Sequence, residues 1–180
     1  MEDDTQLFRD VFSASPIGIA VETLEGQPLF VNPALCSMLG FSEEEMCTKH
    51  CVQFSPPEDA DKDWALFQQL RGGSIDHYRL EKRYFRRDGS LVWGQLSVSL
   101  LKGRPSPLVV AMVEDITERK RAEEALRTSE ERFRLAAHAG KMYAYEWDLA
   151  TDVVIRSGDI GAVLGSTSAE PLTRQQILAR

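Results

Sequence analysis

The stretch IDHYRLEKRYFRRDGSLVWGQLSVSLL, residues 75–101, decides the fold class of this chain. At its centre lies Asp88-Gly89, a two-residue turn signal that strongly favours a β-hairpin. The arms of this hairpin are predicted at Ile75–Arg86 and Leu91–Leu101. In the second arm, small or apolar residues occupy every second position from Val92 onward. Because successive side chains of a strand point to opposite faces, one face of this arm is predicted to face a core.

Shorter strands are predicted on both sides of this hairpin. Leu108–Glu114 follows a turn at Gly103–Pro107 and is predicted as the last strand. Ile17–Thr23 and Pro28–Val31 are predicted as an earlier hairpin around Glu25-Gly26. Short turns join antiparallel neighbours, so the five strands are expected to form one antiparallel sheet.

Helices are predicted before the first strand and between the two groups of strands. Residues 4–14 carry an apolar stripe, and Asn32 is positioned to cap a short helix. Ser42 and Glu45 have the spacing of a capping box, and Glu58–Leu70 forms a longer amphipathic helix. The predicted class is therefore α+β: a five-stranded antiparallel sheet with short helices on one face, an N-terminal helix and a C-terminal connector helix.

The chain repeats itself once at an offset of 125 residues. Residues 8–40 align without a gap on residues 133–165, and Phe8-Arg9 and Leu39-Gly40 recur as Phe133-Arg134 and Leu164-Gly165. The segment between the copies, residues 117–134, has 11 charged side chains among 18 and contains no Gly or Pro, as a solvated helix does. We therefore divide the chain into an N-terminal helix (1–14), a first domain (15–116), a helical connector (117–134) and a truncated second copy (135–180).

Composition excludes several classes of protein. The 180 residues are 43% hydrophobic and 27% charged, a mix that favours a folded globular chain. The net charge of −7 argues against a nucleic-acid partner. The longest apolar run, Leu108–Val113, is far short of the roughly 20 residues that span a bilayer. The acidic N-terminus and three cysteines that cannot all pair (Cys36, Cys47 and Cys51) favour a cytoplasmic location with reduced thiols.

Two apolar stripes predict a homodimer. Leu7, Phe8, Val11 and Phe12 lie on one face of the N-terminal helix, and such a cluster needs a partner surface. The connector follows a weak heptad pattern through Arg119, Ala122, Leu126, Ser129, Phe133 and Ala136, and only four of these six residues are apolar.

Three motifs in this order resemble the PAS domain, a sensor module of bacterial signalling proteins such as the sensor histidine kinases of two-component systems. They are Asn32–Met46 (NPALCSMLGFSEEEM), Arg86–Trp93 (RRDGSLVW) and Glu114–Lys120 (EDITERK). The second copy resembles the same family at Phe133–Gly140 and Tyr145–Thr151. The resemblance implies a domain that senses a small molecule, redox state or light, or that dimerises, and that acts through a helix on an output domain.

The resemblance also implies where a ligand would bind. The wall of its pocket is expected on the core-facing side of the last three strands, at Tyr84, Gly94, Leu96, Val98, Val109, Ala111 and Val113. We expect no catalytic residue and no metal ligand, and the chemical identity of any ligand or cofactor is unknown. Asp115, Ile116 and Thr117 are expected to transmit the signal, with Asp115 and Glu118 forming a capping box at the start of the connector.

Several residues are candidates for binding flavin, a metal ion or haem. Cys51 aligns with the photoreactive cysteine of the flavin-binding members of the family, but the polar residues that would hold flavin are missing around it. Cys47, His50 and Cys51 would share a helix face if the segment were helical, which could suit a metal, although a fourth ligand is missing. Haem-binding members use a histidine of the long helix. Here the candidate histidines are His77, on a strand, and His138, near the start of the second copy's first strand.

The charged clusters of the first domain have simpler explanations. Glu58, Asp59, Asp61 and Asp63 are interpreted as acidic residues that complement a helix N-terminus. Lys82, Arg83, Arg86 and Arg87 are divided between the two faces of a strand, so they do not form a single patch. The resemblance thus favours a PAS sensor. A ligand-free dimerisation module and a metal- or haem-dependent redox sensor are the alternatives.

Overall fold

The computed structural model describes residues 2–103, 106–140, 145–156 and 172–173. The chain divides into two compact units, Met1–Arg121 and Ala122–Arg180. The first unit contains, in chain order, α1 (Glu2–Ala14), β1 (Gly18–Thr23), β2 (Pro28–Val31), α2 (Pro33–Leu39), α3 (Glu43–Cys47), a 3₁₀ turn (Cys51–Phe54), α4 (Pro57–Arg71), β3 (His77–Phe85), β4 (Leu91–Leu101), β5 (Leu108–Asp115) and the start of α5 (Thr117–Ala139). The described residues contain no helix that is long and apolar enough to cross a membrane.

The five strands of the first unit form one antiparallel sheet in the order β2-β1-β5-β4-β3. The first and last strands in sequence therefore pair at the centre. The turn Asp88-Gly89 joins β3 to β4 as predicted: Gly89 has a φ of 81°, and the Arg86 N–H donates to the Ser90 carbonyl across it. The α+β class and the antiparallel sheet are confirmed.

Helices α2, α3 and α4 pack on one face of the sheet and bury a single apolar core. Leu35 and Leu39 of α2, Phe67 and Leu70 of α4 and Val92 of β4 are all less than 5% exposed within it. The helices begin where local signals predicted them. Ser42 and Glu45 form the complete capping box of α3, with hydrogen bonds of 3.1 and 2.8 Å.

Asn32 ties three elements together. It is fully buried, and its Oδ1 accepts hydrogen bonds from the N–H groups of Ile19 (2.8 Å) and Leu35 (3.0 Å). Its Nδ2 donates to the carbonyls of Phe12 (3.1 Å) and Ile17 (2.9 Å). The amide thus uses both acceptor and both donor positions to join the end of α1, the start of β1 and the first turn of α2.

The connector is longer than predicted. Helix α5 continues past residue 134 to Ala139, so His138 lies in the last turn of this helix. Helix α1 ends at Ala14, 125 residues before the end of α5. The last turns of the connector therefore occupy the position of α1 in the repeat.

The second unit contains three described strands, β6 (Tyr145–Asp148), β7 (Val153–Arg156) and β8 (Leu172–Thr173), in the antiparallel order β6-β7-β8. Strand β7 begins and ends 125 residues after β2, so the hairpin β6–β7 repeats the hairpin β1–β2. The sequence repeat is thus a structural repeat over this hairpin.

Candidate functional site

A small cavity lies between the inner face of the sheet and helices α2, α3 and α4. Its volume is about 40 Å³. Since one ordered water needs roughly 10–15 Å³ in this measure, the space accommodates about three or four water-sized groups. Strands β1, β3, β4 and β5 supply one wall, and residues such as Met46, Cys51 and Phe67 supply the opposite one.

Five of the seven residues expected at a ligand pocket line this cavity: Tyr84, Leu96, Val98, Ala111 and Val113. Val109 is fully buried in the core but does not line the cavity. At Gly94, an added Cβ would lie 2.6 Å from the Tyr84 ring and 2.8 Å from a Val113 methyl group. The space above Gly94 is therefore filled by its neighbours, and the absence of a side chain at this position leaves room for the Tyr84 ring.

A buried ion pair crosses the cavity wall. Lys82 Nζ lies 2.6 Å from Asp63 Oδ2, and both side chains are less than a tenth exposed. The Tyr78 hydroxyl donates a 2.6 Å hydrogen bond to the other oxygen, Asp63 Oδ1. The same ammonium group lies 4.5 Å above the centre of the Tyr84 ring. The two charges therefore compensate each other and are held by a phenol on each side.

Two polar groups of the same cavity have no such compensation. The Glu22 carboxyl, on β1, is 7% exposed, and within the described part of the chain it makes no hydrogen bond or ion pair. Burial, with a contribution from the nearby Asp63 charge, raises the pKa of Glu22 from 4.5 to about 7. The Tyr84 hydroxyl is fully buried and lacks a hydrogen-bond partner among the described residues. Unpartnered buried polar atoms are uncommon in native proteins, so the Tyr84 hydroxyl marks a place for a missing partner in the cavity that the Glu22 carboxyl also lines.

Sequence reasoning missed the charged half of this site. Asp63 was interpreted as a residue that complements a helix N-terminus, but it lies in the middle of α4 and inside the domain. Its position between Ala60 and Phe67, on the apolar stripe of the helix, could have identified it. Lys82 likewise stands at the same strand parity as Tyr78 and Tyr84, which predicts an inward side chain.

The cysteine and histidine candidates do not assemble into a metal site. Helix α3 ends at Cys47, and His50 caps the following 3₁₀ turn by accepting from the Val52 N–H, so the three candidates do not share a helix face. Burial raises the pKa of the Cys51 thiol, which disfavours the thiolate that metal binding and nucleophilic attack need. His77 is exposed on β3. Within the described ranges, no group of three His, Cys, Asp or Glu residues could hold a metal ion.

The start of α5 is fastened to the strands that line the cavity. The Ile116 N–H donates to the Trp93 carbonyl (3.0 Å), and Thr117 Oγ1 accepts from the Trp93 N–H (3.0 Å). Glu81 of β3 binds both Arg119 and Lys120, at 2.7 and 2.6 Å. The first turn of α5 is therefore held by β3 and β4 as well as by its covalent link to β5.

The prediction that Asp115 and Glu118 form a capping box at this junction is wrong. The Asp115 carboxylate accepts from the Thr117 N–H (2.8 Å) and not from Glu118, and it lies 3.6 Å from Arg86. The physical reason is that α5 begins at Thr117, which places Asp115 one residue before the N-cap position. Ile116 occupies that position and is buried, as expected.

An apolar surface remains uncovered on α1. Leu7, Phe8 and Val11 are each more than 60% exposed, and the Phe8 ring stacks on the ring of Phe12 at 5.9 Å. On α5, Leu126 and Phe133 are exposed to a similar extent. These are the residues of the two apolar stripes noted in the sequence.

Comparison with known proteins identifies the first unit. A protein-family model described as a PAS domain matches residues 16–118, more than half of the chain. The crystal structure of the PAS domain of an HTR-like protein from Haloarcula marismortui superposes with a TM-score of 0.55 at 28% sequence identity, and the match covers 64% of this chain and 93% of that one.

Two curated proteins are related in sequence. A probable diguanylate cyclase of Escherichia coli (strain K12), DgcE, is 40% identical over 148 residues, 81% of this chain and 13% of that protein. The sensor histidine kinase TmoS of Ectopseudomonas mendocina is 30% identical over 122 residues, 66% of this chain and 12% of that protein. The chain thus spans about an eighth of the length of these relatives.

Proposed function

Because this chain belongs to the PAS domain family, we propose that residues 15–116 form the sensory module of a larger signalling protein, which binds a small molecule in the cavity and transmits its presence through α5. Of the seven residues expected at the pocket wall, Tyr84, Leu96, Val98, Ala111 and Val113 line the cavity, while Gly94 and Val109 support the wall from the core without lining it. The relay in this proposal comprises Asp115, Ile116 and Thr117. Catalysis belongs to an output domain in this scheme and not to the module itself.

One observation carries the proposal: the residues that hold α5 lie next to residues that line the cavity. Glu81, which binds α5, directly precedes Lys82, which forms part of the buried ion pair. On β5, Asp115 follows the cavity residue Val113 by two positions. A ligand that shifts β3 or β5 by a fraction of an ångström would therefore shift the contacts of the helix as well.

The relatives support an output of one of two kinds. We propose that the parent protein is a histidine kinase or a diguanylate cyclase, the activities that TmoS and DgcE are named for. Residues 117–134 would form the connector, and residues 135–180 the front of a second PAS copy that continues the array. The proposal places the module in the cytoplasm, where the three free cysteines would stay reduced.

Dimerisation is the second part of the proposal. The exposed stripe of α1, with Leu7, Phe8 and Val11, supports an association of two modules through this helix, the connector or both. A homodimer brings two output domains together, as kinases and cyclases that act in pairs require. A module that only dimerises, with no ligand, would use the same surface.

The first test identifies the ligand, and the second separates ligand binding from signal transmission. Mass spectrometry of natively purified protein should show a co-purifying small molecule. In a fusion of the full chain to a kinase output, this compound should change kinase activity. Asp115→Ala should abolish the response while the affinity for the compound stays unchanged, because Asp115 holds the first N–H of α5 and does not line the cavity.

The matched control is Asp61→Ala, which removes an exposed carboxylate from α4 and should leave both affinity and response intact. If kinase activity still responds to the compound in Asp115→Ala, the junction connects α5 to the domain but does not transmit the signal. A protein that carries no compound and responds to none would favour the dimerisation module.

A further inference from the structure

We propose that the cavity selects a small organic cation, an ammonium or amidinium ion, whose N–H groups bind the Glu22 carboxylate and the Tyr84 hydroxyl. This inference rests on the proposed function, because it names the chemical class of ligand for the same cavity. It is carried by two groups that line the cavity: the Tyr84 hydroxyl, which is buried without a hydrogen-bond partner among the described residues, and the Glu22 carboxyl, which is buried beside it on the cavity wall.

The charge balance of the cavity favours a cation. The titratable groups that face it are Glu22 of β1, Cys51 of the 3₁₀ turn, Asp63 of α4, and Tyr78, Lys82 and Tyr84 of β3. Among these, Lys82 neutralises Asp63, while burial keeps the thiol and both phenols protonated by raising their pKa values. When Glu22 is ionised, the cavity groups therefore carry one net negative charge, and a buried charge without an ion-pair partner is costly.

The charged groups of the cavity disfavour a bound anion. It would enter a space that already contains the carboxylates of Glu22 and Asp63. The Lys82 ammonium that could attract it is bound to Asp63 at 2.6 Å and lies over the Tyr84 ring. The Tyr78 hydroxyl is also committed, as a donor to Asp63. A cation, in contrast, would meet an unpaired carboxylate and a hydroxyl oxygen, and it would favour the ionised form of Glu22.

The volume of the cavity further limits the class of ligand. A cavity of about 40 Å³ admits three or four non-hydrogen atoms without rearrangement. Apolar side chains such as Leu96, Val98 and Ala111 line the rest of the wall, which suits a short alkyl group. The fitting class is therefore a compact ion that carries N–H donors at one end and a methyl or ethyl group at the other.

Three isosteric probes test the charge directly. Acetamidinium, acetamide and acetate have four non-hydrogen atoms and the same planar shape, and they carry charges of +1, 0 and −1. Binding to the full chain would be measured at pH 8 and constant ionic strength, by the shift in melting temperature and by NMR titration of tyrosine and methyl signals. We expect saturable binding of acetamidinium alone. Its affinity should be about tenfold lower at pH 6, because most Glu22 is then protonated.

Variants assign the binding to the named groups. Glu22→Gln keeps the size of the side chain but removes its charge, so acetamidinium affinity should fall at least tenfold and lose its pH dependence. Tyr84→Phe should weaken binding without changing the pH dependence. The matched control is Glu25→Gln, an exposed glutamate in the turn that follows β1, which should bind as the wild type does.

Other outcomes overturn the inference in distinguishable ways. Equal binding of acetamide and acetamidinium, or preferred binding of acetate, would overturn the cation class and leave a ligand-binding sensor in place. If Glu22→Gln binds acetamidinium as tightly as the wild type does, the cation binds at a site that does not include Glu22. If none of the three probes binds, the cation class is wrong, and the proposed function is then decided by the co-purified compound and Asp115→Ala.

Discussion

Glu22 is a carboxyl group on an otherwise apolar strand face, and at the scale of the residue it couples folding to pH. Its pKa is about 7 in the folded chain and about 4.5 when exposed. Below pH 4.5 both states carry the proton, and the contribution of Glu22 to stability is fully present. As the pH rises through 7, the unfolded chain has lost the proton first, so the free energy of unfolding falls, by about 3 kcal/mol at most.

Glu22→Gln should remove the decrease in the free energy of unfolding that Glu22 causes as the pH rises. We expect the stability of the variant, relative to the wild type, to increase by about 3 kcal/mol between pH 4.5 and pH 8. Urea unfolding followed by tryptophan fluorescence at a series of pH values would measure it. Glu25→Gln should follow the wild-type curve, and a constant difference between Glu22→Gln and wild type would show that Glu22 is not desolvated.

Asn32 illustrates a residue whose role is stability. Asn32→Ala should lower the free energy of unfolding by about 3 kcal/mol, because it removes the cap of α2 and leaves buried backbone groups of β1 without partners. Asn32→Asp keeps the acceptor but loses both donors and buries a charge, so it should not restore stability. Chemical denaturation would measure both, and a loss below 1 kcal/mol would contradict the role assigned to the amide.

At the scale of the element, the junction of β5 and α5 determines how the helix leaves the domain. Thr117→Val keeps the shape of the side chain but leaves the Trp93 N–H without its acceptor, at a cost of about 1–2 kcal/mol. Hydrogen exchange should become faster in residues 116–121 and in Trp93, while β1 and β2 keep their protection. Thr117→Ser retains the hydroxyl and should restore slow exchange. Uniformly faster exchange would mean that the hydroxyl stabilises the whole domain.

Elements also differ in how far their own sequence predicts them. The hairpin of β3 and β4, the capping box of α3 and the cap at Asn32 formed as predicted, because the turn or cap that starts each of them is specified by residues a few positions apart. Helix α5 ends five residues after the predicted end of the connector at 134, because the helix that the repeat places at the start of the second copy is continuous with the connector.

At the scale of the whole molecule, the apolar stripes of α1 and α5 predict self-association. The chain should sediment at twice its mass of 20.2 kDa. Phe8→Glu places a charge on α1, and Phe133→Glu places the same charge at the equivalent position of the repeat, 125 residues later. If both helices contribute, only the double variant should be fully monomeric.

The control is Leu149→Glu, which introduces the same charge at a still more exposed apolar residue outside both helices. Sedimentation equilibrium over a range of concentrations would compare the wild type, the two single variants, the double variant and the control. A wild-type chain that remains a monomer at high concentration would refute the association.

The sequence by itself determined the family, the order of elements and the turns, and it placed five of the residues that line the cavity on one face of the sheet. These features depend on short motifs and on the alternation of side chains along a strand, both of which are local. Only the tertiary structure decided that Glu22, Asp63 and Lys82, which lie on β1, α4 and β3, meet in one buried space. Their meeting depends on how β1 pairs with β5 at the centre of the sheet and on how α4 packs across it. Such long-range pairing arises from burial of the whole apolar core, so a charged residue inside it cannot be distinguished by its neighbours in sequence from one on the surface.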